Sequence, residues 1–142
     1  MTIKELNDEK KEYLKEYIRK TRKIESLEEQ KKSIIELAKS AKAVGYDDMP
    51  HAHKETDLSD YMVRLENITE RIDELKKELY SILADIEEQI MKMKDGNESK
   101  VLHKKYIEFK DWEQIAEEID KSLRHVYRIH EKALSNFEMK TV

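Results

Sequence analysis

Apolar side chains recur at alternating spacings of three and four through the middle of the chain, at Leu58, Tyr61, Leu65, Ile68, Ile72, Leu75, Leu79, Ile82, Ile86 and Met93, with Gln89 the one polar interruption. A stripe of this period sustained over about five heptads is the seam of a long helix packed on another helix. A weaker seam precedes it at Tyr13, Tyr17, Ile24, Leu27, Ile34, Ala38 and Ala41, broken by Lys20 and Lys31. Between the two lies GYDDMPHAHKETD, residues 45–57, with the only Pro and one of the two Gly. Gly45 suits a helix C-terminal stop, Pro50 blocks continuation, and Asp57 or Ser59 suits the N-cap of the next helix. The pattern predicts helices over 3–43 and 58–94, folded back as an antiparallel hairpin (a coiled coil) with a loop at 45–57. Off-seam apolar residues (Leu14, Ile18, Ile35, Leu37, Met62, Leu83, Ile90) would leave its flanks bare, so cover by self-association or by the C-terminal part is expected.

A second turn signal, Asp95-Gly96-Asn97-Glu98-Ser99, separates this hairpin from a differently patterned stretch. Three short helices fit there. The first runs over Ser99–Phe109, with Val101, Leu102, Tyr106 and either Ile107 or Phe109 facing inward. Asp111-Trp112-Glu113-Gln114 has the spacing of a capping box and opens a helix ending near Ile119. Ser122 caps a third helix reaching Phe137, with Val126, Ile129, Ala133, Leu134 and Phe137 on its inner face. Ala116 supplies the small side chain a close crossing needs, and Ile115, Ile119, Val126 and Ile129 are spaced to fill the core between the last two helices. The pair reads as a helix-turn-helix. Asp120 takes the place of the usual turn Gly, since it tolerates a left-handed backbone better than most residues. Lys121 stands where an apolar residue is more common. Trp112 and Phe109 are read as core. The fold class is therefore all-α, with a hairpin at 1–94 and a three-helix helix-turn-helix domain at 99–142.

The stretch W-E-Q-I-A-E-E-I-D-K-S-L-R-H-V-Y-R-I-H-E-K-A-L resembles region 4, the C-terminal promoter-binding region of sigma-70-type factors, over about 40 residues. A charged helical N-terminal part followed by V-L-H-K-K-Y-I-E-F-K-D-W-E-Q-I-A is similar to small phage and prophage proteins of Gram-positive bacteria, the late transcription regulators of the ArpU/RinA type. The resemblance implies promoter DNA as the partner and a role in phage transcription alongside host RNA polymerase.

Charge sharpens the picture. The net charge of −4 is unevenly spread: residues 1–43 carry +3, residues 44–99 carry −8, and residues 100–142 carry +1. A basic segment followed by an acidic one suits helices that pair charges along their flanks. From Lys121 to Lys132 four basic residues face one acidic, a local +3 in an acidic chain. With Val126, Ile129 and Ala133 inward, Arg124, His125, Tyr127, Arg128 and Lys132 project outward or to the flanks. Arg124 and Arg128 are the candidates for base edges, because the guanidinium fork matches guanine O6 and N7. Lys121, Ser122 and Lys132 are candidates for phosphate contact, and His125 and Tyr127 complete the set. The bland alternative is a solvated stripe in which the three cations pair with Glu131 and other acidic neighbours.

Other chemistries fit poorly. With no Cys there is neither a disulfide framework nor a thiolate zinc site, which suits the cytoplasm. No run approaches the roughly 18 apolar residues a bilayer span needs. His51 and His53, near Asp47 and Asp48, read as loop residues and not as metal ligands. His125 and His130 are five apart, off the i, i+4 spacing of helical zinc ligands. Two Gly cannot build a phosphate loop, so no catalytic site and no cofactor are expected. Helix-turn-helix proteins commonly read two half-sites about 34 Å apart, which favours a homodimer. The competing class is a structural or adaptor protein whose helix-turn-helix docks another protein.

Overall fold

The computed structural model describes residues 1–44 and 51–140, with side chains in 1–41 and 58–140. Their regular structure is entirely helical, in five helices: α1 (Ile3–Val44), α2 (His51–Met91), α3 (Gly96–Tyr106), α4 (Trp112–Glu118) and α5 (Leu123–Asn136). No strand occurs among them.

Helix α1 starts in a capping box: Thr2 Oγ1 accepts from Glu5 N–H at 3.1 Å, and Glu5 returns a bond to the Thr2 N–H at 3.4 Å. Helix α2 begins at His51, inside the expected loop, so Asp57 and Ser59 lie within the helix and are not its caps. The segment HAHKETD is polar enough to read as a loop, yet it holds no Gly or Pro, and Ala52, Lys54 and Glu55 are strong helix formers. The expected turn at Gly45, Asp47, Asp48 and Pro50 lies outside the described residues. Helix α2 ends at Met91, and α3 starts at Gly96, three residues before the expected Ser99. Asp95 is the reason, because its carboxylate accepts from the N–H groups of Asn97 and Glu98 at 2.9 and 3.1 Å.

Two compact units divide the chain: Met1–Lys20 with Leu79–Val142, and Thr21–Glu78. This boundary does not follow the division expected at residues 94–99. In the Thr21–Glu78 unit Ile24, Ile72 and Leu75 are buried, and Lys76 meets Glu28 at 3.2 Å. In the other unit Leu14, Ile86 and Ile90 of the long helices share one core with Leu102, Tyr106, Ala133, Leu134 and Phe137. The off-seam Leu14 and Ile90 are thus covered by α3 and α5. Leu37 and Met62 stay exposed.

A second cluster (Val101, Ile115, Ala116, Val126 and Ile129, flanked by Trp112 and Ile119) joins α3, α4 and α5. The connection from α4 to α5 closes as a Schellman turn: Asp120 has φ 56°, Lys121 N–H reaches Ala116 O at 3.0 Å, and Asp120 N–H reaches Glu117 O at 3.3 Å. Before α4, Phe109 also has a left-handed backbone, at φ 58°, which lets Lys110 N–H reach back to Lys104 O at 3.0 Å. That twist turns its ring outward, so Phe109 is 40% exposed and not core. Its ring centroid lies 5.4 Å from that of Tyr17. Trp112 is half-buried.

Candidate nucleic-acid interface

Helix α5 has one buried side and one exposed side. Ser122 starts it by accepting from His125 N–H at 3.2 Å, and Asp111 and Gln114 form the full capping box of α4. All five residues expected on its inner face, Val126, Ile129, Ala133, Leu134 and Phe137, are buried. His130 joins them at 4% exposure. Its Nε2 and the Tyr106 hydroxyl share a hydrogen bond of 2.7 Å, and the Trp112 ring stands edge-on 4.7 Å away. Burial first, then Lys11, Lys105 and Lys15, lower its pKa to about 4, so the ring is neutral near pH 7. Burial holds the Tyr106 phenol well above its usual range.

Lys121, Ser122, Arg124, His125, Tyr127, Arg128 and Lys132 are all exposed. Arg124, Arg128 and Lys132, four residues apart in turn, make a cationic ridge along the helix. On one side of it lies an open groove of about 690 Å³ lined by Arg124, Tyr127, Arg128, Glu131, Lys132 and Ser135 of α5 and by Ile3 and Asn7 of α1. On the other side His125, Arg128 and Lys132 face Asp95, Asn97 and Glu98. Tyr127 is 44% exposed, with its ring edge-on to Trp112 at 5.3 Å. Lys121 sits in the turn, and Ser122 spends its acceptor on the cap.

Asp95, Glu98 and Glu131 line the grooves beside the ridge, but among the described residues no carboxylate stands within ion-pair distance of it. Glu131 turns toward Lys11 of α1, 3.9 Å away, and Arg124, Arg128, Lys132 and Lys121 form no ion pair with any described residue.

The first turns of α1 hold α5 from its far end. Lys10, 7% exposed, donates its ammonium to the carbonyls of Leu134 and Ser135 at 2.9 and 3.2 Å, supplying the donors that a helix C-terminus lacks. Burial lowers its pKa. Asn7 donates to Ser135 Oγ at 3.2 Å. Nothing in the local sequence marks these residues, since their partners lie more than 120 positions away. The Thr2–Glu5 capping box, by contrast, is legible in Thr-x-x-Glu.

No group of three or more His, Cys, Asp or Glu side chains that could hold a metal ion occurs among the described residues. His51 and His53 lie on the first turn of α2, while their proposed neighbours Asp47 and Asp48 fall outside the described residues. No described helix is long and apolar enough to cross a membrane. No protein-family model, curated protein or solved structure matches the chain.

Proposed function

We propose that α4 and α5 act as a helix-turn-helix on double-stranded promoter DNA, α5 entering the major groove, in a transcription regulator of the kind that phages and prophages encode. The long helices form an antiparallel coiled-coil arm, and host RNA polymerase is the protein partner. The observation that carries this reading is the exposed ridge of Arg124, Arg128 and Lys132, unpaired among the described residues, on a helix whose opposite face is fully buried. Such a helix keeps its shape while presenting cations, which is what a major-groove reader requires. Arg124 and Arg128 lie on the first two turns, where a recognition helix approaches base edges. Lys132 lies further along, where phosphate contact is the usual role of a Lys.

Arg124→Ala and Arg128→Ala are each expected to weaken specific promoter binding by about 1–3 kcal/mol with an unchanged circular-dichroism melt. Lys132→Ala is expected to weaken specific and non-specific DNA alike and to reduce the salt slope of binding by about one. Gel shifts with the protein's own upstream promoter DNA, with and without RNA polymerase, measure all three. Should both Arg variants footprint the promoter like wild type while losing a protein partner, the adaptor reading replaces this one.

A further inference from the structure

The two grooves that flank the cationic ridge of α5 differ in size and in charge. The one against α1 is the larger, about 690 Å³ against about 250 Å³. Three cations line it, Arg124, Arg128 and Lys132, with a single carboxylate, Glu131, which already faces Lys11 of α1 at 3.9 Å. Ile3, 75% exposed, and Tyr127, 44% exposed, give it apolar surface. In the groove against α3, Arg128 and Lys132 meet two carboxylates, Asp95 and Glu98. Asn136 holds Glu98 there through a hydrogen bond of 2.6 Å.

Duplex geometry turns this asymmetry into a docking rule. A helix with its side chains is about 10–12 Å across, and the major groove is about 12 Å wide. With α5 inside, no second helix fits beside it, so the walls that α1 and α3 raise on its flanks come down on the two phosphate backbones. Toward α1 a backbone meets excess cation, with apolar surface for its sugars. Toward α3 it meets Asp95 and Glu98, which repel phosphate. The helix is therefore drawn off-centre, toward the strand on the α1 side.

We propose that the first turns of α1 are the second half of the DNA interface. One strand runs through the groove between α1 and α5, its sugars against Ile3 and Tyr127 and a phosphate at Lys132, while the α3 flank stands off the other strand. This rests on the reading of α5 as a major-groove helix. A matched pair of variants tests it. Ile3→Glu and Asn97→Glu each add one negative charge at an exposed position in the first turn of a helix, where a carboxylate suits the fold, on opposite flanks of the ridge. Circular-dichroism melts should stay unchanged. In gel shifts on the protein's own upstream promoter DNA, Ile3→Glu is expected to raise Kd on the order of tenfold or more, and Asn97→Glu, screened from a distant backbone, less than about threefold. Ile3→Lys should tighten binding and steepen its salt dependence by about one unit of slope. The chain has no Cys, so Ile3→Cys and Asn97→Cys each offer a single attachment point for a DNA-cleaving iron chelate. Cuts from position 3 are expected to be the stronger. Equal losses in the two Glu variants, or stronger cutting from position 97, overturn the proposal. If Arg124→Ala and Arg128→Ala still weaken binding in that case, only this inference falls. If they bind like wild type, the reading of α5 falls with it.

Discussion

Phe137→Ala is expected to remove about 3–5 kcal/mol of stability, the usual loss for a fully buried aromatic ring. Phe137 has no solvent exposure, and its ring centroid lies 6.0 Å from that of Tyr13. It belongs to the cluster that unites Leu14, Ile86 and Ile90 of the long helices with Leu102, Tyr106 and Leu134. Domains of this size are held by only about 5–15 kcal/mol, so the variant should be near the edge of folding at 37 °C. A urea midpoint moved by the equivalent of less than about 1 kcal/mol would show that this core tolerates the cavity by collapsing. Val126→Asp attacks the other cluster, and a carboxylate buried between α4 and α5 should unfold both.

Acid should destabilise the same region before most carboxylates titrate. His130 has its pKa lowered to about 4 in the folded chain, against the ordinary 6.5. Between those values the unfolded chain takes up a proton that the folded chain refuses, so stability falls as pH falls through that window. The full difference corresponds to about 3 kcal/mol. Lys11, Lys15 and Lys105 oppose the charged ring, and Glu131, 3.9 Å from Nδ1, is the nearby carboxylate. Urea midpoints at pH 7 and pH 4.5 measure the loss. His130→Leu should flatten the profile, since no imidazole then titrates, at the expense of an unpaired Tyr106 hydroxyl. A wild-type midpoint independent of pH in that range would contradict a buried neutral His130. The salt bridges of Glu108 and Glu118 act in the same direction at lower pH: hydrogen bonds from His103 and from Lys110, respectively, hold these carboxylates below their usual range.

Features governed by neighbouring residues were legible in the sequence. Asp111, Gln114 and Ser122 act as caps, and Asp120 adopts the left-handed turn, because each answers to groups within a few positions. The seam of α2 likewise falls on buried and half-buried positions throughout its described length. Polarity misled at His51–Asp57, where helix-forming residues outweigh a loop-like composition. Phe109 was misassigned to the core because hydrophobicity says nothing of a backbone twist that turns the ring outward. For the candidate interface, the exposed ridge followed from 3.6-residue periodicity once Val126 and Ile129 were placed inside. The same periodicity puts His130 on the inner face beside Val126 and Ala133, although its polarity argued otherwise. Lys10 and Asn7 could not be found this way, since a charged side chain mid-helix gives no sign that a distant helix end needs its donors.

The bond from Lys10 to the end of α5 also fixes an order of events during synthesis. Lys10 leaves the ribosome 124 residues before Leu134 does, and at roughly 5–20 residues per second the interval is on the order of ten seconds. Through that time Leu14, and later Ile86 and Ile90, emerge without the α5 side chains that cover them in the finished chain. The core therefore closes from both ends of the sequence at once, and only late. Ribosome-bound chains that stop before α5 should accordingly be the form most readily captured by chaperones or cut by proteases.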